Sequence, residues 1–153
     1  MTPPRRFTWR DDRGQVGGIE VIPFGLLIFV VGGLLVANAW AVIDAKMAVT
    51  SVAREAARSY VEAPDERTAS ERAVAAGRAA IVGHGRDAGR LRLEPDATDF
   101  ARCGRVTFAA SYPVPAITLP WIGGFGRSFT VRASHSELVD PYRSGLPGAA
   151  SCD

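Results

Sequence analysis

Hydrophobic and polar positions follow three different rhythms along this chain. From Val21 to Ile43, VIPFGLLIFVVGGLLVANAWAVI, no residue ionises. At 1.5 Å of rise per residue this stretch makes a helix of about 35 Å, enough to cross a hydrocarbon core of ~30 Å with some tilt. Charged residues bound it sharply, Glu20 before it and Asp44 and Lys46 after it, and Trp40 lies near one end, where an indole prefers the headgroup level. The stretch therefore reads as a transmembrane helix. The next rhythm is helical: DAKMAVTSVAREAARSYVE, Asp44 to Glu62, is rich in Ala, Arg and Glu and meets no breaker before Pro64. One continuous helix is expected through both stretches. Asp65 is a candidate N-cap for a second, shorter helix that runs to about Val82, where Gly83 and Gly85 stop it.

The third rhythm alternates. Leu91 and Leu93 alternate with charges in RLRLE, and Val106, Phe108, Ala110 and Tyr112 share one face of RVTFAASYP. Phe129, Val131 and Ala133 alternate with Thr130, Arg132 and Ser134. These segments predict a small antiparallel sheet, and the whole predicts an α+β fold. The expected organisation is a leader over residues 1–20, a transmembrane helix over 21–43, an extracytoplasmic α+β domain over 44–140 and a flexible tail over 141–153. Between the last two strands the connection PVPAITLPWIGGFGR is strongly apolar for a loop. Trp121, Ile122 and Phe125 either meet membrane or a partner subunit there, or fold back over the sheet.

Small residues recur every fourth position along the first helix: Gly33, Ala37, Ala41 and Ala45, then Ala53 and Ala57, with Val49 as the larger member. Such a seam lets a second helix approach closely where water cannot drive association; an Ala-rich composition would produce the same spacing without any packing role.

Charge changes the picture little. Of 18 basic residues 17 are Arg, and beyond Ile43 there are 14 basic against 13 acidic residues, a balance that argues against a nucleic-acid surface. Arg5, Arg6, Arg10 and Arg13 before the span outnumber Lys46, Arg54 and Arg58 after it, which favours a cytoplasmic N-terminus. The competing reading is a secretory signal peptide cut at Ala37-Asn38-Ala39 or Ala39-Trp40-Ala41, against which the apolar run continues to Ile43. Cys103 and Cys152 would both face an oxidising side, where a disulfide closing a loop of 49 residues is one outcome and two free thiols the other.

Candidate chemistry is sparse. His135 beside Ser134 and Ser136, with Asp140 further on, offers hydrolase components but no nucleophile elbow, and His84 lies between two glycines. No Cys/His cluster supports a metal, and GQVGG and GGFG lack the helix and lysine of a phosphate loop. Neither an enzymatic activity, a cofactor nor a small-molecule substrate is expected.

In this order the pieces resemble a TadE-like protein of the tight-adherence (Flp) pilus systems. The features that carry the resemblance are Arg13-Gly14 in a basic leader, Glu20 at the head of a span, Ala53-Arg54-Glu55-Ala56-Ala57-Arg58 after it, Tyr112-Pro113-Val114-Pro115, and the strand Phe129 to Ser134. The resemblance implies a minor pseudopilin, inserted N-in and cut by a prepilin peptidase, that works with other pilin or pseudopilin subunits and the assembly platform. It implies Gly14 before the cut, Gln15 as the new N-terminus, and Glu20 as an acid that needs a partner charge in low dielectric. Glu20 stands sixth after Gly14, where the family has its acid fifth; an uncut anchor whose edge Glu20 marks is the alternative.

Overall fold

The computed structural model describes residues 21–97, 99–119, 123–124 and 128–152. Gly14, Gln15, Glu20, Trp121, Ile122 and Phe125 lie outside these, as does the leader expected over residues 1–20. The fold is α+β, with a long helix, a shorter one and a three-stranded antiparallel sheet. Two compact units are distinguished, Met1–Ala37 and Asn38–Asp153. Helix α1, Val21–Val61, contributes to both. Its length follows from the unbroken run of helix formers between Asp44 and Glu62.

In the unit Asn38–Asp153, α1 buries Ala45, Ala48, Val49, Val52, Ala53, Ala56, Ala57 and Tyr60, steps of one, three and four residues that lay a single stripe along the helix. Helix α2, Glu66–Gly83, starts where the Asp65 carboxylate accepts from the Thr68 N–H and from its hydroxyl, each at 2.9 Å. These bonds hold the Asp65 carboxyl below its ordinary value. The helix ends with the His84 N–H on the Ala80 and Ile81 carbonyls, and the chain leaves through Gly85 at φ 68°, a left-handed conformation that glycine adopts without steric cost.

Alpha2 buries Ala69, Ala73, Gly77 and Ile81. A Cβ on Gly77 would lie 3.4 Å from Val52 Cγ1, 3.8 Å from the Ala56 Cβ and 2.7 Å from Leu93 Cδ2. The two helices and the sheet thus meet at a glycine because nothing larger leaves Leu93 its place.

The sheet has the order β1-β2-β5, with β1 Arg92–Ala97, β2 Arg105–Val114 and β5 Phe129–Leu138. Its central strand buries Val106, Phe108, Ala110, Tyr112 and Val114, the face that the alternation predicts. Strand β1 begins at Arg92, one residue after Leu91, and β5 runs on past Ser134 to Leu138. The apolar connection contains a two-residue pairing, β3 Thr118–Leu119 with β4 Gly123–Gly124. Apolar side chains form two clusters between helices and sheet. One joins Val49 and Val52 to Tyr112, Val114 and Val131; the other joins Tyr60 to Val106, Phe108 and Val139. Tyr60 packs edge-on to Phe100, ring centroids 5.6 Å apart.

Cys103 and Cys152 form a disulfide, their Cα atoms 5.3 Å apart. With Cys152 held, residues 141–152 are placed by further bonds. Arg143 donates to the carbonyls of Val61 and Ala63 at the end of α1, and the Arg102 N–H donates to the Pro147 carbonyl at 2.8 Å. The last carbonyls of a helix have no partner within it; here a side chain eighty residues on supplies one.

Candidate functional site

The feature of α1 that its own fold does not explain is its first half. Ile22, Phe24, Ile28, Phe29 and Val36 are each more than 65% exposed, and the most apolar window of the helix has none of its residues buried. Gly25, Gly32 and Gly33 have open space where a Cβ would stand. Leaving large aliphatic and aromatic side chains in water forfeits about 1.5–3 kcal/mol each relative to burial, so this surface belongs against something apolar. By length and composition α1 can cross a membrane.

Along the helix the candidate seam divides. Gly33 and Ala37 are exposed, Ala41 is half-buried against the core, and Ala45, Val49, Ala53 and Ala57 are buried. Beyond Ala41 the small residues are covered by the protein's own helix α2 and sheet. Of the four candidate seam positions, Gly33 and Ala37 are the two that this fold leaves uncovered.

At the start of the unit Asn38–Asp153 several bonds tie α1 to the sheet. Asn38 Oδ1 accepts from the Ile117 N–H at 2.9 Å. Asp44 accepts from Arg86 at 2.6 Å, and the Arg86 and Arg90 guanidiniums lie 5.4 and 5.6 Å from the centre of the Tyr112 ring. Lys46 Nζ donates to the Arg132 carbonyl. None of these contacts, whose hydrogen bonds span 42 to 86 residues, carries a signal in the sequence beyond the chemistry of its members.

The polar cluster near His135 is not assembled for nucleophilic chemistry. His135 Nε2 lies 2.8 Å from Glu137 Oε1 on one face of β5, whereas Ser134 and Ser136 belong to the other face, where Ser136 bonds Thr107 at 2.8 Å. Asp140 accepts from the Tyr142 N–H, and His84 is exposed at the end of α2. Among the described residues no group of His, Cys, Asp and Glu is arranged to hold a metal ion. Comparison with protein-family models, with curated proteins and with solved structures gives no match.

Proposed function

We propose that the chain is a non-enzymatic, single-pass membrane component with its N-terminus in the cytoplasm and its α+β unit outside, and that it works as a TadE-like minor pseudopilin in building a Flp-type pilus or a related secretion apparatus. The observation that carries the membrane part is the largely uncovered run of large apolar side chains from Val21 to Trp40, a surface that lipid accommodates and water does not. The pilus part rests on the resemblance: Arg13-Gly14, Glu20, the Ala53–Arg58 segment and the Tyr112–Pro115 strand end, in that order. Gly33 and Ala37 are the exposed small positions at which a subunit's helix could approach.

A released soluble module is the second reading, since a signal sequence has the same composition. Against it, Ala41 and Val42 pack on the core and Asn38 bonds Ile117, so a cut at Ala39 or Ala41 would remove part of the folded unit. Intact-mass measurement of the protein from its native membranes separates these outcomes. A mass beginning at Gln15 supports a processed pseudopilin, one beginning at Met1 an uncut anchor, and one beginning beyond Ala39 the secreted module.

A further inference from the structure

Where the helix of the unit Asn38–Asp153 begins, the sheet presents apolar and cationic groups side by side. Trp40 and Ile43 are exposed on α1, and Ile117 and Phe129, at the neighbouring end of the sheet, are 44% and 46% exposed. The Asn38–Ile117 bond fixes that end of the sheet to the first turn of the unit's helix. Three residues past Ile43 stands Lys46, about 4.5 Å further along the axis, and its ammonium reaches the Arg132 carbonyl.

The strand register puts Arg92 and Arg132 on the two outer strands directly opposite Ser111, on the solvent face of the sheet. They line a shallow hollow of about 180 Å³ with Ser111, Ala109 and Glu94. Arg90, also exposed, lies beside it. Of the acids at this end, Asp44 pairs with Arg86 and Asp87 accepts from the Gly89 N–H; Glu94 shares the hollow with Arg92 and Arg132, and Asp96 lies with Lys46 and Arg132, so the four basic residues exceed the acids among them without standing alone.

These positions match the layering of a bilayer surface. The headgroup region on one side of a hydrocarbon core is roughly 5–8 Å deep. With Ile43 at the edge of the hydrocarbon, Lys46 falls within that depth and reaches the Arg132 carbonyl; the arginine side chains are long enough to reach back toward it, and Ile117 and Phe129 stand nearest the boundary. We propose that this end of the unit is a docking surface for anionic phospholipid, with Lys46, Arg90, Arg92 and Arg132 meeting headgroup phosphate while Ile117 and Phe129 enter the apolar boundary. The proposal rests on the reading of Val21–Ile43 as a membrane span. A basic residue near an anionic lipid surface contributes roughly fivefold to its partitioning, so the excess of Lys46, Arg90, Arg92 and Arg132 over Glu94 and Asp96 holds the sheet down on the membrane.

The test is amide hydrogen exchange of the full chain in nanodiscs of phosphatidylcholine alone and in nanodiscs with about a third phosphatidylglycerol. The expected result is exchange slowed at least about fivefold over 90–94 and 128–134 in the anionic discs, reversed by high salt, and lost in R92E/R132E. Exchange that is equal in the two lipids, or slowed equally in the charge-reversed variant, overturns the proposal. Because the lipid and salt comparisons use the unaltered chain, a misfolded variant does not protect the idea. Protection over 21–43 in both discs with no lipid dependence over 90–94 sinks the docking surface alone; an unprotected 21–43 sinks the span as well.

Discussion

The two halves of α1 are built on opposite rules. From Asn38 to Val61 the buried positions are mostly Ala and Val, and α2 comes close enough that a Cβ on Gly77 would touch Val52 and Ala56. From Val21 to Ala37 the side chains are larger and more apolar, yet they are exposed. Hydrophobicity by itself therefore does not mark a protein core. Small residues bring helix and sheet together at native packing density, whereas Leu, Ile and Phe without covering elements leave a contiguous apolar surface open.

Matched truncations on the two halves break this comparison most directly. Tyr60→Ala removes a ring wedged between Phe100 and Phe108 and is expected to destabilise the folded unit by about 3–5 kcal/mol. Phe29→Ala removes a comparable ring from the exposed half and is expected to leave the same unit's denaturation midpoint unchanged. Equal effects would mean that Phe29 has partners in the unit.

Opening the disulfide acts on one side of the comparison as well. Cys103→Ser removes a cross-link spanning 49 residues, worth roughly 4 kcal/mol in the chain-entropy model, and also frees the segment that carries Arg143 to the end of α1. Thermal unfolding in detergent should show the loss, while the chain stays with the membrane. Ile28→Arg acts on the other side. A charge costs up to about 2.5–3.5 kcal/mol of insertion at the centre of a span and less toward its ends, so the membrane-bound fraction should fall while the folded unit keeps its melting temperature.

The smallest effect concerns Asp65. Its folded carboxyl is held below the ordinary value of 3.8, first by the Thr68 N–H and then by the Thr68 hydroxyl. The group therefore stabilises α2 fully above that ordinary value, and the contribution fades as pH falls through the lower folded one. Asp65→Asn, which still caps, should flatten this acid limb of the stability curve while leaving melting at neutral pH nearly unchanged. A wild-type acid limb in the variant would assign the pH dependence to other groups.

Features carried by local periodicity were readable from the residues. The alternation of Val106, Phe108, Ala110 and Tyr112 specifies a strand with one buried face, and Asp65 three residues before Thr68 specifies a cap. The end of β5 was not readable, because His135–Glu137 is polar and draws its strand conformation from pairing with Val106–Phe108. Spacing also located the small residues of α1 without identifying what they pack on. Whether Ala45 faces another chain or its own sheet depends on where α2 returns, and that is fixed by contacts such as Gly77 with Val52. The Arg143 cap on Val61 and the Asn38 bond to Ile117 are contacts across 82 and 79 residues, for which one chain's sequence holds no marker.

The central claim is that the exposed half of α1 lies in lipid. Alkaline carbonate extraction of membranes carrying the unaltered protein tests it most directly. The account predicts that the chain stays in the membrane pellet; its release, uncut, into the supernatant would contradict the account.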